Sequence, residues 1–412
     1  MVAPKLRFKE FDGYWNKNTI GNFVLNYKGG ASLTPADFVD YSECEVIPKK
    51  AISSGGALQL DKDVPTFCTP EFFNLNQNYV VDSEYLITTL RDLVPSGPSI
   101  GYIVKYEGDK QYILAQGVYG FRIKNDLCRD FLIQFSNTSK FRLHMQSIMV
   151  GSTQVHIRNH DYFSTELYTP SLLEQTQIAS FLSTVDEKIS QLSQKLHLLG
   201  QYKQGMMQKL FSQQIRFKAD DGSEFREWKI GKLGDITSIQ GGFAFKSTNF
   251  GKGMTKVIRI GDIEKNINLD SFTGIYSNEI PDTRYLISEN AIVMALSGAT
   301  FGKLGKVNQG YAYINQRVAT FKVFEDSLNE FVYQIMLSQE FTTYIQSIPS
   351  ASAQPNISNQ DVINFEMMIP CLEEQTKIAN FLSAIDQKIE VTEQQIEQAK
   401  QWKKGLLQQM FV

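Results

Sequence analysis

The sequence predicts two tandem α+β domains joined by two long antiparallel coiled-coil helices, the whole forming an internal pseudo-two-fold repeat. Three observations predict it. The string from Pro170 to Ile189 (PSLLEQTQIASFLSTVDEKI) returns from Pro370 to Ile389 (PCLEEQTKIANFLSAIDQKI), 200 residues later and without a gap. The same offset runs back through Gln116/Gln316, Val118/Val318, Phe121/Phe321, Gln154/Gln354 and Asp161/Asp361, so a domain is duplicated together with its helix. Beyond each proline, apolar residues recur in steps of three and four with no further proline as far as Phe211 and Phe411, the pattern of a long amphipathic helix. The expected division is a first domain over 1–167, a first helix over 168–213, a second domain over 214–367 and a second helix over 368–412.

Each element follows in order. Trp15 to Phe23 (WNKNTIGNF) pairs with Trp228 to Ile236 (WKIGKLGDI) and opens each domain; Gly29-Gly30 pairs with Gly241-Gly242, and Ser96-Gly97 with Ser297-Gly298. Val257 to Ile263, Ala291 to Leu296 and Ala319 to Val323 read as strands between Gly, Asn and Asp turns, and Phe331 to Ile348 reads as a helical patch. The first long helix carries a seam at Ile178, Phe181, Val185, Ile189, Leu192, Leu196 and Leu199, and Ser171 with Glu174 predicts a capping box at its start. The second repeats the seam at Ile378, Phe381, Ile385, Ile389, Ile396, Leu406 and Met410. With the order domain, helix, domain, helix, the second helix must run antiparallel to the first. Helix one leads into Ile215-Arg216-Phe217-Lys218 and the chain begins with Leu6-Arg7-Phe8-Lys9 after a short lead, so the termini are expected side by side.

Composition narrows the function. The 412 residues exceed what a single core usually supports, and 41 Lys+Arg against 44 Asp+Glu leave a charge of −3 that neither announces nor excludes a polyanionic partner. Cys44, Cys68, Cys128 and Cys371 form no CxxC pair, which argues against a disulfide framework or a zinc ribbon and fits a reducing compartment. No apolar run approaches the ~18 residues of a membrane span, so a cytoplasmic protein with no membrane partner is expected. No metal and no catalytic residue is expected either. Gly298-Ala-Thr-Phe-Gly302-Lys303-Leu304 is one residue short of a Walker loop and has Leu where Ser or Thr must reach magnesium. His156 and His160 have zinc-helix spacing but no third ligand, and Pro281-Asp282 lacks the companion Glu-x-Lys of a nuclease.

What the loops offer is polyanion binding and base recognition. Lys28-Gly-Gly-Ala-Ser32 and Gln240-Gly-Gly-Phe-Ala-Phe-Lys246-Ser247 combine bare backbone with Lys and Ser that suit phosphates. Asn315-Gln316-Arg317, and Asn356 beside Gln354, supply groups that match purine edges in the major groove. Gln116/Gln316 and Gln154/Gln354 recur in both halves, which suits a turn-stabilising role equally well. The residues without a counterpart, Lys49, Lys50, Arg158, Arg259, Lys303 and Arg317, are the candidates for specificity.

With these strings in view, the sequence resembles the specificity subunit of type I restriction-modification systems. The resemblance spans the lead-in around Arg7-Phe8 and Trp15, the SGATFGKLG and INQRV strings, and above all Pro370-x-x-Glu-Glu-Gln-x-x-Ile-Ala-x-Phe-Leu with its counterpart from Pro170 to Leu182. It implies two target-recognition domains, each reading one half of a split site in double-stranded DNA. It implies that the helices set the spacing and dock two modification (methyltransferase) subunits, and that restriction subunits join for cleavage. On that implication Glu174, Gln175, Phe181, Glu374, Gln375 and Phe381 of the repeated motif are partner-binding residues, and this chain needs no cofactor and does no chemistry. The first domain departs from the pattern, with Pro98, Tyr102 and Gly117 where the second has Ala299, Lys303 and Arg317. The competing class is a non-enzymatic protein-binding scaffold with duplicated adaptor domains.

Overall fold

The structure, a computed structural model, describes residues 3–61, 63–348 and 356–412. The chain divides into two compact units, residues 1–194 with 394–412 and residues 195–393. Each holds one α+β domain and part of both long helices.

In the first unit an antiparallel sheet runs in the order Val24–Lys28, Val118–Ile123, Leu86–Thr89, Ile103–Val104. Leu86–Thr89 is buried along its whole length, as befits a central strand covered on both faces. A second sheet places Tyr112–Leu114 between a parallel partner, Val46–Ile47, and an antiparallel one, Val80–Val81. The helices Arg129–Ser136 and Ser139–Ile148 pack Phe131, Phe135, Phe141 and Met145 into the core with Leu86 and Phe121. Ile178, Leu182 and Val185 of the first long helix and Leu406, Leu407, Met410 and Phe411 of the second complete that core. Both helices are therefore part of the domain's hydrophobic interior, which supplies most of the favourable free energy of folding.

The second unit repeats this plan. Its larger sheet has the order Thr237–Gly241, Val318–Val323, Ile292–Ala295, Leu304–Gln309, Asn266–Asn268. Ala312–Ile314 again lies between a parallel strand, Phe250–Ile258, and an antiparallel one, Leu286–Ile287. Asn266–Asn268 and Ile275–Ser277 lengthen what in the first unit are single bridges, Ala57 to Lys105 and Glu45 to Phe67. The core joins Phe331, Phe341 and Met336 to Ile378, Leu382 and Ile385, and to Met207 and Leu210.

The long helices span Leu172–Phe211 and Leu372–Met410. They run antiparallel within each unit: Phe181 meets Trp402 and Asp186 meets Lys403 in the first, and Lys203 meets Asp386 in the second. The lead-in segments are equivalent in detail. Leu6 donates its N–H to the Gln409 carbonyl at 2.9 Å, and Ile215 donates at 3.2 Å to that of Lys209, the counterpart of Gln409 at the offset of 200. The beginning of the chain thus sits on its end, as the shared Arg-Phe-Lys string leads one to expect.

Two local expectations change. Phe331 to Ile348 is not one helix but Asn329–Met336 followed by Gln339–Ser347, because Ser338 accepts the Phe341 N–H and caps a new start. The capping box at Ser171 is only half formed. Ser171 Oγ accepts the Glu174 N–H at 3.4 Å, but the Glu174 carboxylate turns away to Arg7 and Trp15.

Candidate nucleic-acid interface

In the second unit three strands converge on one turn. Thr237–Gly241 and Ile292–Ala295 both end beside the start of Val318–Val323. The turn Asn315-Gln316-Arg317 is closed by Val318 N–H on the Asn315 carbonyl at 2.7 Å, and Asn315 N–H donates to Ile258 at 2.9 Å, bringing Arg259 alongside. Leu296 N–H donates to the Arg317 carbonyl and Ile357 N–H to the Leu296 carbonyl, both at 2.9 Å, so Asn356 joins the same rim. There Arg317 Nη1 donates to Asn356 Oδ1 at 3.2 Å. Gln316, Arg317 and Asn356 are exposed, and Arg259 is half-buried with its Nε donating to Asp262 at 3.3 Å. Asn315 is partly committed, since its Oδ1 accepts the Gln316 N–H at 2.8 Å.

The first unit builds the same frame with other side chains. Val118 N–H closes the turn on Ala115, Leu90 N–H donates to Gly117, and Ile157 N–H donates to Leu90. Gln116 is exposed at the tip of the turn. Lys49 Cε lies 2.9 Å from where a Cβ on Gly117 would stand. Arg158 follows Ile157 as the N-cap of Asn159–Phe163, and Ser32 follows the bridge between Ala31 and Ala115; both are exposed. Gln154 is exposed on the tip between Val150 and His156, whose backbones bond to one another. Arg91 and Ser297 occupy this rim as well, opposite His156 and Asn356. The repeat in the sequence marks Ser297, as the partner of Ser96, but not Arg91.

The remaining candidates lie elsewhere. Lys28 donates to the Val80 carbonyl at 2.6 Å, and burial pushes its ammonium below the ordinary lysine range, so its charge is spent inside the domain. Lys50 pairs with Asp61 and Lys303 with Glu264. Lys246 and Ser247 are exposed at a short 3-10 turn beside Glu279, which accepts the Lys246 N–H. Gln354 falls outside the described residues.

The paired glycines have a different task from the one their bareness suggests. A Cβ on Gly242 would stand 2.1 Å from the Asn315 carbonyl oxygen, and one on Gly30 would stand 1.8 Å from that of Ala115. The close approach is made by the protein's own turn. Gly242→Ala is therefore expected to push the turn off its sheet and cost about 1–3 kcal/mol, read as a lower urea midpoint for the second unit. An unchanged midpoint would remove this account of the glycine.

Four of the six expected partner-binding residues are internal, a correction with a clear physical cause. Glu174 is 1% exposed and accepts from Arg7 Nε and Nη2, each at 2.7 Å, and from Trp15 Nε1 at 3.3 Å. Glu374 takes the same part with Arg216 and Trp228. Gln175 Oε1 accepts the Cys128 N–H while its Nε2 donates to Pro170, and Gln375 does the same for Leu328 and Pro370. A buried charge needs such partners, and none of these groups is available to another chain. Phe181, against Phe8 and Trp402, and Phe381, against Phe217, are half-buried.

Among the described residues, no group of three or more His, Cys, Asp or Glu side chains could hold a metal ion. No described helix is long and apolar enough to cross a membrane. His160 meets Ser164 through Nδ1 at 3.1 Å, and His156 pairs across a short ladder with Arg91.

Comparison with known proteins matches these two units to one family. The type I restriction modification DNA specificity domain matches residues 13–199 and again 226–401. The MjaVIII specificity subunit of Methanocaldococcus jannaschii, a type I restriction enzyme component, is 27% identical over 97% of this chain and 94% of its own length. The EcoBI specificity subunit of Escherichia coli is 28% identical over 42% of this chain and 35% of its own. Among solved structures, the type I S subunit from M. genitalium superposes with a TM-score of 0.60 at 16% identity, covering 100% of this chain and 99% of that one. The fold is thus shared from end to end.

Proposed function

The chain belongs to the type I restriction-modification DNA specificity family, and on that premise we propose that each unit reads one half of a bipartite site in duplex DNA. The observation that carries the reading is the rim. One backbone frame occurs twice, with Gln316, Arg317 and Asn356 on one copy and Lys49, Gln116 and Arg158 on the other. A shared frame with different donors and acceptors is what two half-sites of different sequence require, because base edges are told apart by their hydrogen-bonding pattern. Lys246, Ser247 and Ser32 serve backbone positioning, which carries affinity but no sequence information.

The chain contributes recognition and no catalysis, and acts with two modification subunits and, for cleavage, with restriction subunits. The long helices dock the modification subunits and set the spacing of the half-sites. The docking surface includes the half-buried Phe181 and Phe381 and the 55% exposed Trp402, in place of the buried Glu and Gln of the repeated motif.

Arg317→Ala is expected to relax one half of the recognised site by roughly 1–3 kcal/mol per lost base contact and to leave the other half unchanged. Mapping methylated sites in cells that supply the modification subunits reads both halves at once. Equal loss at both halves would sink the assignment of one rim to one half-site.

A further inference from the structure

The two rims differ by an insertion. Gly101 and Gly302 take equivalent places: both have positive φ, and both donate N–H to the strand, to Thr89 and Ala295 respectively. The turns before them match as well, Ile100 N–H on Gly97 and Phe301 N–H on Gly298. On the other side, Leu90 and Leu296 are equivalent through their bonds to the carbonyls of Gly117 and Arg317. Six residues separate Leu90 from Gly97, whereas Ser297 alone separates Leu296 from Gly298. Arg91 and Ser297 face His156 and Asn356 alike, so the five residues that the second unit lacks are Asp92 to Ser96.

Arg91, the residue just before that segment, occupies the space left by a missing side chain. Where the second unit has Arg317, the first has Gly117, with φ of 86°. A Cβ there would stand 3.0 Å from Arg91 Cβ and 3.3 Å from Arg91 Cδ, so the Arg91 stem covers the glycine. The second unit makes the opposite choice, Arg in the turn and the short Ser297 on the strand end. Each unit thus sets a guanidinium at this turn, delivered from a different strand.

The surroundings leave the Arg91 charge free to act. Asp92 is occupied with its own loop, accepting from Ser99 Oγ at 2.6 Å and from the N–H groups of Ser99 and Val94. Among the described residues, no carboxylate lies within ion-pairing reach of Arg91, Lys49 or Arg158, whereas neighbouring Lys50 has Asp61. Arg91 is exposed, and the Lys49 stem also lies over Gly117. An exposed, unneutralised fork of donors beside a second cation suits a guanine edge flanked by phosphate.

We propose that Arg91 is a specificity-determining residue for the first half-site, taking from the strand end the part that Arg317 takes from the turn in the second. The inference rests on the reading that each unit binds one half-site. Arg91→Met is the informative variant, because it keeps the stem over Gly117 and removes only the fork. In the complex with the modification subunits, tested by genome-wide methylation mapping and by binding to duplexes varied at each position, one base pair of one half-site should lose roughly 10- to 100-fold of its discrimination. The affected half must be the one that Arg317→Ala leaves intact. Arg91→Lys, which keeps stem and charge, should lose the same discrimination with its salt dependence unchanged, and it decides the question if the Met variant proves unstable. An unaltered motif in both variants overturns the proposal. So does uniform weakening at every sequence with a salt slope lower by about one, which marks a phosphate contact. If the parent protein itself yields no two-part motif, the half-site reading fails, and that result needs no variant to be seen.

Discussion

Glu374→Ala is expected to destabilise the second unit by roughly 3–5 kcal/mol, the usual cost of stranding one partner of a buried ion pair. Glu374 is fully buried and takes Arg216 Nε at 3.2 Å, Arg216 Nη2 at 2.8 Å and Trp228 Nε1 at 2.8 Å. Its removal leaves the largely buried guanidinium with the Phe225 and Arg226 carbonyls and the exposed Glu227 carboxylate at 3.8 Å, and leaves the indole N–H with nothing. The damage should spread along residues 215–228, because this cluster pins the lead-in to the long helix. Urea unfolding followed by tryptophan emission, with hydrogen exchange on the second unit, measures it. Glu174→Ala should do the same to the first unit through Arg7 and Trp15. A loss below about 1 kcal/mol would mean that these carboxylates behave like exposed surface pairs.

Asp386→Ala should cost roughly 2–4 kcal/mol, somewhat less because the carboxylate keeps some solvent. It accepts from Lys203 at 2.7 Å and Gln334 at 2.9 Å, with Lys265 at 3.3 Å. Burial alone would raise its pKa, but Lys203, Gln334 and Lys265 together hold it below the ordinary aspartate range. The sign of the pH dependence follows. An unfolded aspartate titrates near pH ~3.9, so the stabilisation is complete above that value and is lost as pH falls through the lower pKa of the folded state. Glu330 has the same direction: burial opposes ionisation, and Lys306, Gln334 and Ser383 outweigh it. Between pH 7 and pH 3 the parent chain should therefore lose more stability than Asp386→Asn. Parallel stability curves for the two would exclude Asp386 from acid sensitivity.

The repeat was legible because its register is unbroken. From Tyr112 to Phe211 the first copy pairs with residues 312 to 411 at a constant offset, and strands and helices fall at matching numbers, such as Val118–Ile123 with Val318–Val323. Burial was not legible. A Glu and a Gln in a repeated motif at a helix start look the same in sequence whether they face a partner or an arginine far away in the chain, and Arg7 and Arg216 carry no signal of their pairing. The glycine pairs likewise reveal that something approaches closely, but not that it is the protein's own carbonyl. Arg91 escaped for a further reason. Pairing Ser96-Gly97 with Ser297-Gly298 holds for the glycines, but Ser297 answers in space to Arg91, and only the bonds of Leu90 and Leu296 and the ladders to His156 and Asn356 show it.

The first unit is assembled from both ends of the chain, and this governs the order in which the protein can fold as it is synthesised. Residues 195–393 form an uninterrupted stretch and can close their own core as soon as they have emerged. The first domain emerges earlier but stays open on the side that Leu406, Leu407, Met410 and Phe411 will cover, because those residues are added only after the whole second unit. Domains usually fold in the order they leave the ribosome; here the earlier-made domain must wait for the later one. Its exposed aromatic floor of Trp15, Phe131 and Phe135 awaits Phe411, a hydrophobic surface that chaperones would be expected to shield in the interval.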